Sequence, residues 1–111
     1  MKYFPGDKIA RPAADMAQAL RFRAQLGARQ GDTEGADRRF RRASGLMREL
    51  ALGFYLGVTQ LEHAEWLAGQ GRAEEAAPLL AEATEIFERL GATPWLERIS
   101  AVAPRAAEVP A

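Results

Sequence analysis

The sequence predicts an all-α fold: two helical hairpins followed by a short C-terminal capping helix. Three observations predict it. Apolar and small residues recur every three or four positions along most of the chain, the period of one helical face. Gly31, Gly71 and Gly91 interrupt that pattern where helices should end. The whole pattern then recurs on adding 40 to the residue number.

The elements follow in order. Residues 1–11 have no helical period, and Pro5-Gly6 reads as a turn. Pro12 suits the first position of a helix, with Asp15 in its first turn. Ala13, Ala17, Leu20, Ala24 and Gly27 then form one stripe. Gly31-Asp32-Thr33 ends that helix, and Asp32 or Thr33 can cap the next. The second helix carries Ala36, Phe40, Ala43, Met47 and Leu50 on a narrow seam. Arg38, Arg39, Arg41, Arg42 and Arg48 lie off it. A third helix, about Phe54 to Ala68, is apolar over a wide arc, as expected of a helix held between neighbours. The fourth runs from about Ala73 to Leu90, with Ala76, Leu80, Ala83, Phe87 and Leu90 on its seam. Pro78 predicts a late start or a slight kink. Gly91 is a left-handed C-cap, Thr93-Pro94 opens a fifth helix to about Val102, and Pro104 stops it. Residues 104–111 are expected to be a disordered tail.

The repeat is internal and helical. Residues 17–56 align with 57–96, and the seam keeps register throughout: Ala36 with Ala76, Phe40 with Leu80, Ala43 with Ala83, Met47 with Phe87, Leu50 with Leu90. Gln30, Gly31 and Glu34 recur as Gln70, Gly71 and Glu74. Two helices per forty-residue unit is the signature of an α-helical array. The domain therefore spans 12–103.

Composition bounds the chemistry. One domain fits in 111 residues, and there is no cysteine, so disulfides, thiolate zinc sites and cysteine nucleophiles are excluded. The single histidine, His63, cannot make a His-rich metal site. The longest charge-free apolar stretch, Leu50 to Leu61, is too short to span a bilayer. Lys2 and Lys8 are not followed by the apolar run of a leader, so a cytoplasmic protein is expected. Net charge is zero, yet residues 1–50 hold 11 basic and 6 acidic groups, and residues 51–111 hold 4 and 9. The plain reading is two solvated faces. The sharper one is head-to-tail attraction between copies, or docking on a charged partner.

Ala24, Gly31, Ala36, Phe40 and Ala43, repeated as Ala64, Gly71, Ala76, Leu80 and Ala83, resemble tetratricopeptide repeats in their long-helix form. The stretches Leu61 to Ala76 and Ala83 to Trp95 are typical of that family. They are similar to repeats at the C-terminal end of bacterial LuxR-type regulators and adenylate/guanylate cyclase-like proteins. The resemblance implies an α-α superhelix and a non-catalytic, regulatory protein–protein interaction module with a protein or peptide partner and no cofactor. Two units plus a cap are few, since about three repeats are usually needed to bury a continuous core, so the chain is expected either to be a relic of a larger protein or to complete its core by self-association as a homodimer. One junction departs from it. Ala51-Leu52-Gly53-Phe54 stands where the second unit has Gly91-Ala92-Thr93-Pro94, so the alternative of one long helix through Leu50–Phe54 is open there, letting copies exchange helices.

In the family register the first helices of successive units line a groove. It would present Gln18, Arg21, Gln25 and Arg29 from the first unit, Val58, Leu61, Glu65 and Ala68 from the second, and Arg98 from the last helix. Arg21, Gln25 and Arg29 sit four apart on one face, and two guanidiniums flanking an amide suit a peptide carboxylate. The competing reading is a solvated arginine face. Glu62, His63, Glu65 and Trp66 do not make a metal or acid–base site, because His63 and Glu62 diverge on a helix and no second histidine supports them. No Ser/His/Asp set or phosphate loop is present, so no enzyme is expected. Arg38-Arg39-Phe40-Arg41-Arg42 admits phosphate contacts and makes nucleic acid the alternative partner, but Phe40 belongs to the seam rather than to a stacking platform.

Overall fold

The computed structural model describes residues 7–107, and the side chains of residues 11–102. Five helices run in order: α1 (Asp7–Arg29), α2 (Thr33–Glu49), α3 (Gly53–Gly69), α4 (Ala73–Leu90) and α5 (Thr93–Ala107). The described residues contain no strand, and the fold is all-α. They form two units, one ending at Leu52 and one beginning at Gly53. No described helix is long and apolar enough to cross a membrane.

The helices end by one device used four times. Residues 31, 51, 71 and 91 all have positive φ, at 81°, 56°, 76° and 65°. The N–H after each donates five residues back: Asp32 to Gly27 (2.8 Å), Leu52 to Met47, Arg72 to Leu67 and Ala92 to Phe87 (2.9 Å each). This pattern satisfies carbonyls that a helix C-terminus leaves without partners. Three of the four positions are glycine. The fourth is Ala51, so the junction that lacks the expected glycine is still a turn. The continuous helix through Leu50–Phe54 does not form, because α2 stops at Glu49 and α3 starts at Gly53.

The N-terminal unit is the hairpin α1–α2. Its buried stripe on α1 is Ala17, Leu20, Ala24 and Gly27, and that on α2 is Ala36, Phe40, Ala43 and Met47. Asp32 caps α2, its Oδ1 accepting from the Gly35 N–H at 3.0 Å. The other oxygen pairs with Arg39 at 3.2 Å. Helix α1 differs from expectation at its start. It begins at Asp7 and runs through Pro12, so residues 7–11 are helical rather than irregular. A proline there forfeits one bond to the carbonyl four residues earlier, which bends a helix without forbidding the turn before it. Residues 1–6 lie outside the described residues.

The C-terminal unit is the hairpin α3–α4 with α5 packed on both helices. Leu61, Ala64 and Leu67 of α3 and Ala76, Leu80, Ala83 and Phe87 of α4 are buried. Gly57 makes this approach possible: a Cβ there would stand 2.9 Å from Phe87 Cζ and 3.1 Å from Ile86 Cγ2. Ile99 and Val102 bury α5. Three expectations are corrected here. Helix α4 has the expected bounds, Ala73–Leu90, so of the two effects expected of Pro78 the late start does not occur. Helix α5 continues through Pro104 to Ala107, again because one lost backbone bond does not end a helix. Leu50 is half-buried and Leu90 is 54% exposed, so the seam ends one residue pair earlier than its spacing suggested. Both residues stand at a helix C-terminus, immediately before the left-handed residue that turns the chain. Of the expected tail, residues 108–111 lie outside the described residues.

Candidate interaction surfaces

Gln18, Arg21, Gln25 and Arg29 follow one another on α1 at spacings of three and four, so the N-terminal unit holds them on one face. The first three are half-buried and Arg29 is exposed. Arg21 Nε donates to Gln18 Oε1 at 2.9 Å, and its guanidinium lies 4.5 Å from the Phe22 ring centroid. Those two contacts fix the direction of a long side chain and reduce the entropy a ligand must remove.

The other members of the expected groove belong to the C-terminal unit, and they divide. Val58 and Leu61 are buried, at 4% and 0% exposure, and offer no surface. The correction has a physical cause. Helix α3 is apolar over most of its circumference, so positions that are polar on α1 carry core side chains on α3. Glu65 and Arg98 do come together, as a bidentate pair: Arg98 Nε and Nη2 donate to the two Glu65 oxygens at 2.7 and 2.6 Å. This hydrogen bonding, with the negative charges of Glu65 and Glu62, holds the Arg98 guanidinium above its ordinary pKa against the opposing effect of burial. Arg98 also lies over Trp95 at 5.4 Å. The pair flanks a shallow cleft of about 270 Å³ lined by Ala68, Gly69, Ala101 and Val102.

The arginine-rich run is a helix flank around a core residue. Phe40 is 1% exposed. Arg39 pairs with Asp32, and Arg41 with Asp37 at 3.2 Å. His63 is buried at 3% exposure and stacks on Trp66 with centroids 6.2 Å apart. Among the described residues no three His, Asp or Glu side chains gather where they could hold a metal ion.

Two features escape the seam-centred reading. One is an aromatic group in the C-terminal unit. Phe87 stacks on Trp95 at 5.5 Å, and Phe54 meets both rings edge-on at 6.1 and 5.6 Å. The other is a second apolar face on α1, where Met16, Phe22 and Leu26 are each more than half exposed. Its signal was present in the spacing of Met16, Ala19, Phe22 and Leu26, alongside the stripe that packs on α2. Compared with known proteins, the chain matches no family model, no curated protein and no solved structure.

Proposed function

We propose that the chain is a non-catalytic protein-interaction module of the tetratricopeptide type, using the Gln18–Arg29 face of α1 to hold an acidic peptide segment. The observation that carries this reading is the repeated geometry: left-handed turns at 31, 51, 71 and 91, each closing a helix that buries a small-and-large seam. An array of that kind presents successive helix faces rather than a pocket for chemistry. The Arg21 side chain is preset by Gln18 and Phe22, and a guanidinium so held takes a carboxylate in bidentate fashion. Nucleic acid is the weaker reading, since Arg39 and Arg41 already serve carboxylates within the N-terminal unit.

The test is fluorescence titration with acidic peptides ending in a free carboxylate, beside a gel shift with duplex DNA and single-stranded RNA at low salt. Peptide binding that falls about tenfold in Arg21→Ala/Gln25→Ala, with helical content unchanged, supports the proposal. Equal binding by the variant, or a shift of nucleic acid without peptide binding, removes it.

A further inference from the structure

The second apolar face of α1 calls for an occupant. In the forty-residue register, Met16, Ala19 and Arg23 correspond to Leu56, Thr59 and His63 of α3. All three α1 residues are exposed, whereas all three on α3 are buried. The register position of Ala19 recurs once more as Ile99 of α5, which is buried within the C-terminal unit, where α5 packs on α3 and α4. So these positions are covered on α3, and the Ala19 position also on α5, whereas on α1 they are exposed. The open face is apolar along its middle, with Met16, Ala19 and Leu26. Phe22 and Arg29 lie on one flank, and Arg23, seven residues after Met16, stands on nearly the same line as Met16. Beside it a shallow groove of about 420 Å³ is lined by Pro12, Met16 and Leu20 together with Asp15, Arg23 and Arg42.

The complementary surface lies on the chain itself. On α4, Glu74, Ala77, Ala81, Glu85 and Glu88 are spaced by three and four, share one face, and are all exposed. That face is a ridge of alanines with glutamates at both ends. Small residues let a second helix approach closely, and bulky Met16, Phe22 and Leu26 supply what the ridge lacks. The charges are opposite: the unit bearing α1 carries +5 and the unit bearing α4 carries −5. Pairing α1 with α1 of another copy would bring arginines together, so charge selects α1 against α4.

We infer that the partner of the α1 face is the α4 face of a second copy of this chain. The inference rests on reading the protein as an interaction module and names the partner. The contact is heterologous, because each copy offers one face of each kind. Such a contact continues into rings or filaments instead of stopping at a symmetric dimer.

Sedimentation equilibrium of the full chain tests it, from micromolar to about 500 μM protein, at about 20 and 500 mM salt. At low salt the mass is expected to rise with concentration beyond twice the 12.2 kDa monomer, and to fall towards the monomer at high salt. Arg23→Glu and Glu85→Arg should each weaken association about tenfold or more. The double variant Arg23→Glu/Glu85→Arg should recover it, a result that a mere loss of fold cannot give. Circular dichroism confirms that each variant stays helical. A monomer under all conditions, a closed dimer indifferent to both substitutions, or a double variant no better than the singles would each overturn the inference. Acidic-peptide binding by Arg23→Glu, read in parallel, reports on the interaction-module reading alone, because Arg23 lies off the Gln18–Arg29 face.

Discussion

At position 51 an alanine holds φ at 56°, where the three equivalent turns have glycine. A Cβ in the left-handed region costs roughly 1 kcal/mol or more, and a glycine removes that cost while adding some freedom to the unfolded chain. Ala51 is exposed, so no packing is lost. Ala51→Gly is therefore expected to stabilise the protein by about 0.5–1 kcal/mol, read as a higher urea midpoint with an unchanged slope. Gly57 should show the opposite. Alanine is the better helix former by about 1 kcal/mol. Its methyl group, however, would collide with the Phe87 ring, which is fully buried against Trp95 and cannot withdraw. Overpacking of this kind costs about 1–3 kcal/mol, so Gly57→Ala is expected to lower the midpoint of unfolding. The two sites mark what could be read in advance. The left-handed turn at 91 was legible because glycine followed a helical run. The need for glycine at 57 was not, because it comes from a ring thirty residues away in sequence.

At the scale of the helices, periodicity located the buried seams well and their ends poorly. Ala36, Phe40, Ala43 and Met47, and their partners forty residues on, are all buried. Leu50 and Leu90 continue the spacing but not the burial, since the chain turns there. The contrast gives a paired test. Phe87→Ala should cost about 3–5 kcal/mol, whereas Leu90→Ala, three residues further along the same predicted seam and half exposed, should change stability by no more than about 0.5 kcal/mol. Thermal unfolding of the two variants side by side checks it, and similar losses would mean that Leu90 is core. The charged residues were less legible. Glu65 and Arg98 stood in the expected groove as independent ligands, yet they bind each other. A pairing across thirty-three residues depends on how α5 lies on α3, which no local pattern encodes. Because both side chains are partly exposed, a double-mutant cycle on Glu65→Gln and Arg98→Gln should give a coupling of only about 0.2–1 kcal/mol, falling with added salt.

At the scale of the whole molecule the charge arrangement has a consequence that does not depend on which faces meet. The chain has no net charge and a pI near 6.6, so copies near neutral pH have little general repulsion to keep them apart. Its first unit is nevertheless strongly basic and its second strongly acidic. At about 10 mM ionic strength the screening length is about 30 Å, long enough for the basic part of one copy to sense the acidic part of another. At about 0.15 M it falls to about 8 Å, and only charges nearly in contact still interact. Static light scattering at pH 7 should therefore give a negative second virial coefficient at low salt that rises as salt is added. A uniformly charged protein behaves the other way, because salt screens its repulsion. A coefficient that starts positive and falls would show that the opposite charges of the two units do not act between molecules. The α1–α4 contact would then lose the long-range attraction that distinguishes it from a merely apolar collision.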